Sequence, residues 1–501
     1  MKIIIPASGT GQRFLDVGYK EFKPLIPVIG TKTIIDYVIE SFDKNNDEFF
    51  FISSPDTFQA LEDHLKDSDN VGLNYKHLEY NGPKLGPVGS IIGVYQELSK
   101  YISDTDQVIV SYCDYGMKWN YSEFLEFVNT SKADGIIPCY IGYHPHLKNE
   151  DNVYAVCKTD EYNCVYTVYE KYKSDKRHLE NWSAGLYYFS RFDTMKLAFD
   201  VYVSKGIKLN GEYYVSLAYN EIVENFEVLV FDKIEKFYQF GTPNDFEYVK
   251  NKLNMLEDLY NVGTKINNTV ILSAGKGERF LNLGFNQPKP FIPLGDSDFI
   301  SRITDSFKNV DTHINYVGSE DHKHFWNGYD VRFVTPNKIG AAYSYSQACS
   351  DIRGETLIVP CDLVANYTTE DFFKLKRTAD AIIFTAEPTE FAKKNITSFA
   401  WVTPASDNAH ISDISIKELN APLTNQSVLI GSFWVRKNEE LIAAIAEVFR
   451  RGLKTNNEYY LDDAFKYMLK LDLSVKFVKI DKYFSLGTYE EYIENQYWLT
   501  A

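Results

Sequence analysis

The chain contains no run approaching the roughly 20 consecutive apolar residues that a membrane-spanning helix needs. Its 501 residues open with one lysine and a short apolar run leading into glycines, not with an apolar leader and cleavage site. The expectation is a cytoplasmic protein with no membrane partner. A basic surplus is missing too, since 52 Lys and Arg face 69 Asp and Glu, for a formal charge of −17. Nucleic acids are held by clustered cations, and with no basic patch or tail visible, no nucleic-acid partner is expected. A small anionic substrate stays compatible, because a few local cations suffice for it. Cysteine is scarce: Cys113, Cys139, Cys157, Cys164, Cys349 and Cys361 form no CxxC pair and no zinc-like spacing. Reduced thiols are the simplest account of them. Two common phosphate-binding motifs are also absent. There is no G-x-x-x-x-G-K-[ST], and Phe14 and Phe280 stand where G-x-G-x-x-G would put its third glycine.

What the chain does have is aromatics, 37 Tyr and 34 Phe. They suit aromatic cores and biased composition as well as carbohydrate binding, and composition does not choose between these. It also has a repeat. Gly9, Gly11, Arg13 and Phe14 are answered by Gly275, Gly277, Arg279 and Phe280. Ten residues beyond each arginine comes Lys-Pro, at Lys23-Pro24 and Lys289-Pro290. Lys84 to Gly86 (KLG) matches Lys338 to Gly340 (KIG), and the aspartate ending VIVSYCD, Asp114, matches Asp362 ending LIVPCD. From there the spacing is constant: Asp134 with Asp380, Lys171 with Lys417, Gly185 with Gly431, Glu212 with Glu458, Gly241 with Gly487. An offset that falls in steps and then holds is the mark of a tandem duplication in which one copy has shorter loops. The copies are about 1–262 and 266–501, joined near Tyr260 to Lys265, in keeping with a chain too long for one core.

Within each copy, short β-rich runs alternate with helical stretches. KIIIPA reads as a buried strand by its continuous isoleucines, and TIIDYVIESF, VIVSYCD, DGIIPCYIG and EVLVFDKI are expected to follow as strands, with helices such as SEFLEFVNTSK between them. This alternation predicts an α/β fold with a mostly parallel central sheet.

A strand, then S/A-G-x-G-x-R-F, then Lys-Pro after a short loop resembles the signature of the sugar-phosphate nucleotidyltransferases. These are relatives of the glucose-1-phosphate thymidylyl- and cytidylyltransferases with a GT-A-like fold. The resemblance recurs at several motifs in both halves. It implies two tandem copies of a Rossmann-like nucleotidyltransferase domain with a mixed, mostly parallel sheet. Glycines let backbone N–H groups approach a triphosphate, and an arginine and a lysine neutralise it.

Carried over residue by residue, the resemblance implies that Ala7, Ser8, Gly9, Thr10 and Gly11 wrap the triphosphate with Arg13. It gives Lys23 the phosphates, and it places Lys84, Gly86 and Gly89 against the base. Asp114 would hold Mg²⁺, Glu170 and Lys171 would meet the sugar and its phosphate, and Gly185 in SAGLYYF would support the sugar ring. The second-copy counterparts are Gly275, Gly277, Arg279, Lys289, Lys338, Asp362 and Lys417. Taken singly, Asp114 could be a turn cap, Lys171 a solvated lysine and Gly185 a packing glycine. One departure stands out. Where many members carry a second metal carboxylate before the final Gly-Thr, this chain has Gln239 and Ser485; Asp232 lies close in sequence.

The first copy alone has GYHPH. His144 and His146 there are expected in a surface loop, with hydrogen bonding to an acceptor phosphate as the sharper reading. Because Gly89 becomes Tyr343, which could fill the base site, and Glu170 becomes Ile416, the first half is expected to be catalytic. The second half is then a weakened site, a differently specific site or a structural partner.

The resemblance implies a Mg²⁺-dependent transfer of NMP from CTP, UTP or dTTP to a sugar phosphate or alditol phosphate, releasing pyrophosphate. The product would be an activated precursor for capsule or other surface polysaccharide. A cytidylyltransferase for a small non-sugar phosphate such as phosphocholine is the nearest alternative, and a non-catalytic nucleotide-sugar sensor a further one. A GT-A glycosyltransferase would usually carry Asp-x-Asp at the metal strand, whereas this chain has Asp114-Tyr-Gly and Asp362-Leu-Val. A monomer and a homodimer are both compatible.

Overall fold

A computed structural model describes residues 1–66, 72–149, 154–258, 265–275, 277–335, 339–405, 410–471 and 473–500. The chain divides into two compact units, Met1–Leu253 and Asn254–Ala501. The junction expected near Tyr260 to Lys265 lies, apart from Lys265, outside the described residues.

The first unit is built on a ten-stranded mixed sheet. Lys2–Pro6 lies at its parallel end, between Glu48–Ser53 and Val108–Ser111, with Tyr75–Glu79 outside Glu48–Ser53. Beyond Val108–Ser111 the pairing turns antiparallel through Leu186–Phe189, Gly135–Tyr140, Asn181–Ser183, Tyr154–Thr159 and Val165–Tyr172. Ile3 and Ile5 pack on one face and Ile4 on the other, and all three are fully buried. That is why the run is continuous in isoleucine: a strand covered on both faces has no polar side. The parallel register pairs Ile4 with both Phe50 and Val110. The chain therefore leaves Lys2–Pro6 and Val108–Ser111 at the same carboxyl edge of the sheet, where open α/β sheets place their ligands.

The second unit repeats this arrangement in a nine-stranded mixed sheet. Lys265–Ser273 pairs in parallel with Asp311–Ser319 and Thr356–Pro360, and Ser427–Val435 follows antiparallel on Thr356–Pro360. The sheets are mixed as expected but not mostly parallel: antiparallel pairings are at least as frequent, because the sheet beyond the central strands is built from antiparallel runs, with a further parallel pair in each unit at Val228–Phe231 and Val475–Lys479.

One expected strand is a helix. Ile34–Ile39, in TIIDYVIESF, is helical, and the strand is the next apolar run, Glu48–Ser53. The buried positions Ile34, Ile35, Val38 and Ile39 follow a helical stripe. Asp36 also accepts from the Thr33 N–H at 2.7 Å, closing a capping box that starts the helix.

Candidate active site

The loop Ala7–Gly11 follows directly on Lys2–Pro6. Ala7 is buried and its N–H donates to the Ile52 carbonyl at 2.7 Å, while Gly9 and Thr10 are exposed with their backbone open to a ligand. Gly11 caps the short helix Gln12–Asp16 in the left-handed conformation, φ 65°. A Cβ there would lie 2.9 Å from the Lys23 Cβ, so a side chain is excluded by conformation and by space. Gly277 repeats this at φ 66°, 2.9 Å from the Lys289 Cβ. Arg13 and Arg279 are both exposed beside their loops.

Lys23 reaches from its own turn to the end of the neighbouring strand. Its Nζ donates to Asp114 Oδ2 at 2.7 Å and to the Gly241 carbonyl at 3.2 Å. Lys289 makes the matching ion pair with Asp362. Burial works against the charge on Lys289, but Asp362 and Cys361 outweigh it and the pKa is raised. Each aspartate is preceded by a cysteine, Cys113 half-buried and Cys361 buried. Burial, reinforced by the adjacent carboxylate, pushes the Cys113 and Cys361 thiols up to about 12, so neither is a nucleophile at neutral pH.

Gln239 and Ser485 cap the turn beside the aspartate. The Gly241 N–H donates to Gln239 Oε1 at 3.0 Å, and the Gly487 N–H to Ser485 Oγ at 3.4 Å. A Cβ on Gly241 would lie 3.0 Å from Gln239 Oε1 and 3.7 Å from Asp114 Oδ2, so an amide oxygen and a carboxylate flank one glycine. Asp232 is exposed in the turn between Val228–Phe231 and Ile234–Gln239. Among the described residues no group of three His, Cys, Asp or Glu could hold a metal. One carboxylate with a neutral oxygen nearby fits a Mg²⁺ ion that arrives with phosphates and keeps several waters.

Lys171, expected to meet the acceptor, adopts φ 54°, rare for a residue with a Cβ, and its Nζ lies 5.4 Å from the Tyr214 ring centre. Glu170 accepts a hydrogen bond from the Ser216 hydroxyl. Burial raises the Glu170 pKa, with Ser216 and Lys171 opposing. Burial raises the Tyr214 pKa, reinforced by the charges of Glu212 and Glu170 and opposed by Arg13 of the glycine loop. Gly86, φ 81°, starts its helix against Glu212 and the Tyr213 backbone, where a Cβ would meet atoms at 2.9 to 3.1 Å. Gly89 instead faces Leu85, with a Cβ contact at 2.6 Å, and Lys84 is exposed. Under Gly185 lies the Tyr112 ring, whose hydroxyl accepts from the Val215 N–H at 3.3 Å.

One expectation is corrected. His144 and His146 are not surface residues, being 3% and 7% exposed. His146 Nε2 lies 3.0 Å from the Tyr140 hydroxyl among Tyr154 and Phe237. Burial depresses both histidines, His144 to about 4, leaving two neutral rings at pH 7 with no charge for a phosphate. His144 borders a cavity of about 400 Å³ whose cations are Lys148, Lys173 and Arg177. In the second half, Tyr343 packs 6.1 Å from the Phe449 ring, and Gly340, Ala341 and Ser344 of that helix face the cavity. That cavity, of about 700 Å³, is lined by Gly277, Arg279, Lys289, Asp362 and Gly431. Asp462 lines it too, a carboxylate that sequence reasoning missed. Lys338 lies outside the described residues.

Glycine loop, lysine–aspartate pair and left-handed lysine are thus each present twice, once on each mixed α/β sheet. Residues 2–229 match the family model described as nucleotidyl transferase, and residues 269–394 the one described as MobA-like NTP transferase domain. The chain carries two nucleotidyltransferase family domains in tandem. The bifunctional protein GlmU of Methanococcus aeolicus is 25% identical over 221 residues, covering 43% of this chain and 50% of the relative. The chain thus spans about half the length of the curated relatives it matches. Among solved structures, a nucleoside-diphosphate-sugar pyrophosphorylase from Vibrio cholerae RC9 is 19% identical, covering 50% of this chain and 99% of its own, with TM-score 0.41. A UDP-glucose pyrophosphorylase solved with UDP-glucose is 15% identical, covering 50% and 98%, with TM-score 0.42. Among the described residues, no helix is long and apolar enough to cross a membrane.

Proposed function

We propose that the first half transfers a nucleoside monophosphate from a nucleoside triphosphate to a sugar phosphate and releases pyrophosphate. The observation that carries this is the Lys23–Asp114 pair, with Nζ 2.7 Å from Oδ2 beside an exposed glycine loop. Open backbone N–H groups of Ser8 to Gly11 and the Arg13 guanidinium receive the triphosphate, and Lys23 turns from Asp114 to the phosphates. Asp114 would then hold Mg²⁺, which when bound neutralises the phosphate oxygens. Lys171 meets the acceptor phosphate and Glu170 accepts from acceptor hydroxyls. An acceptor phosphate oxygen attacks the α-phosphorus in line. As that P–O bond forms, the bond from the α-phosphorus to the bridging oxygen breaks, and pyrophosphate leaves with the electron pair. The acceptor phosphate is already an anion at pH 7, so no general base is required, and rate comes from positioning and charge neutralisation.

The nucleotidyl transferase family match over residues 2–229, with the motif resemblance to the sugar-phosphate nucleotidyltransferases, supports the sugar-phosphate acceptor. On the family resemblance, the reading extends to an activated precursor for surface polysaccharide. The test is pyrophosphate release by the full chain for each nucleoside triphosphate with a panel of sugar, alditol and choline phosphates. Wild type is expected to release pyrophosphate, and Lys23→Ala and Asp114→Ala to lose about 10²-fold or more. Activity lost only in Lys289→Ala would move the reaction to the second half, and no release with any pair would leave a nucleotide-sugar sensor.

A further inference from the structure

In the first half the Ser216 hydroxyl donates to Glu170, so these two side chains touch between strand and helix beside Lys171. At the constant spacing that pairs Lys171 with Lys417 and Tyr214 with Tyr460, the partners of Glu170 and Ser216 are Ile416 and Asp462. The carboxylate has crossed from the strand to the facing helix. Ile416, 8% exposed, has joined the core, and Asp462, in the first turn of the helix Leu461–Met468, lines the cavity. Among the described residues no side chain hydrogen-bonds to the Asp462 carboxylate; its bond is with its own N–H, and Lys417 supplies the nearby positive charge. The side chain is partly exposed, and it lines the cavity in which an acceptor would lie.

The pocket floor differs as well. Tyr112 fills the space beneath Gly185, with its Cδ2 3.1 Å from where a Cβ would stand. Its counterpart Pro360 stands 3.8 Å from the corresponding point on Gly431, leaving a shallower side chain and a wider floor. The costly backbone features are kept meanwhile. Lys417 holds φ 58°, with its Nζ 5.0 Å from the Tyr460 ring centre, as Lys171 does over Tyr214. Gly340, φ 116°, abuts the Tyr459 backbone as Gly86 abuts Tyr213, and Ala342 N–H donates to the Tyr459 carbonyl at 3.1 Å. A left-handed lysine costs of the order of 1 kcal/mol or more, which a purely structural half would have no reason to keep.

We infer that the second half holds its own substrate site, taking a nucleotide and a hydroxyl-bearing phosphorylated acceptor through Asp462, and that this acceptor differs from the first half's. The inference rests on the transferase reading above. Asp462 accepts from acceptor hydroxyls approached from the helix side, whereas Glu170 approaches them from the strand side. The wider floor beside Pro360 admits a bulkier group there.

The test is calorimetric binding to the full chain. ATP, CTP, GTP, UTP and dTTP, each with Mg²⁺, are titrated first, and then hexose 1-phosphates, alditol phosphates and phosphocholine in the presence of the nucleotide that binds. Wild type is expected to bind two equivalents of nucleotide. Arg13→Ala and Arg279→Ala, both at exposed positions, are each expected to lose one. In Arg13→Ala the remaining site is expected to bind a panel phosphate other than the one preferred in Arg279→Ala. Asp462→Asn, and Asp462→Ala as a second variant, are expected to weaken that phosphate by about tenfold or more and leave nucleotide affinity unchanged. A single equivalent, lost in Arg13→Ala and untouched by Arg279→Ala, would overturn the inference while leaving the transferase reading intact. The acceptor assignment falls if no panel phosphate binds beside the second nucleotide, if both sites prefer the same one, or if both Asp462 variants bind it like wild type. No nucleotide binding at all would remove the transferase reading itself.

Discussion

A carboxylate removed from water costs stability, and Asp462→Asn measures how much. Burial, with the Asp463 charge beside it, pushes the Asp462 carboxyl from its ordinary 3.8 up to about 7. The folded protein therefore holds this proton where the unfolded chain has released it. Below pH 3.8 both forms are protonated and the group costs nothing. As pH rises toward 7 the unfolded chain gains from ionising, and stability falls until the folded carboxyl ionises too. A shift of about three units corresponds to roughly 4 kcal/mol. Asp462 borders an open cavity where water screens the charge, so about 1–3 kcal/mol is expected in practice. Asparagine keeps the shape and removes the titration. Calorimetric unfolding of the full chain without ligand is expected to show the Asp462→Asn transition at higher temperature than wild type at pH 8. The gap is expected to shrink toward zero near pH 4. An unchanged or lower transition at pH 8, or a gap that does not depend on pH, would refute the reasoning.

Three further expectations follow from the geometry. Lys171→Gly relieves a left-handed backbone, so stability is expected to hold or rise by up to about 1 kcal/mol while pyrophosphate release falls at least tenfold, read by unfolding and turnover on one preparation. Gly11→Ala places a Cβ 2.9 Å from the Lys23 Cβ at φ 65°, and nucleotide affinity is expected to drop by about tenfold or more. His144 and His146 have depressed pKa values in the folded state. The stability they contribute is therefore present above pH 6.5 and lost as pH falls toward 4. His146→Phe, which suits the aromatic surroundings, is expected to flatten that acid loss in urea unfolding curves at pH 7 and pH 5.

What could be read in the chain beforehand depended on whether the information was local or repeated. The glycine turn, the arginine after it and the Lys-Pro that follows were legible because each is a short pattern met twice. The pairing of Lys23 with Asp114 spans 91 residues, yet it too was approachable, because both partners recur in order as Lys289 and Asp362. TIIDYVIESF misled because its apolar content outweighed its spacing; the Thr33–Asp36 cap that makes it a helix is a hydrogen-bond fact more than a hydropathy fact. GYHPH looked like a loop because proline and glycine mark turns, but the turn folds inward over Phe237. Asp462 could not be found by matching motifs position by position. Its counterpart in function is Glu170, 46 residues away from its counterpart in sequence, Ser216, and only the contact between those two side chains shows the exchange.

The lysine–aspartate pairs carry a consequence for how the chain is made. Each empty loop supplies its own counterion, Lys23 for Asp114 and Lys289 for Asp362. A newly synthesised chain can close both sheets without waiting for nucleotide or cation, because no lone charge is trapped there. Asp462 has no such stand-in side chain. Its charge is the one left to a visiting ligand, so the second unit is where supplying the right acceptor is expected to raise resistance to unfolding.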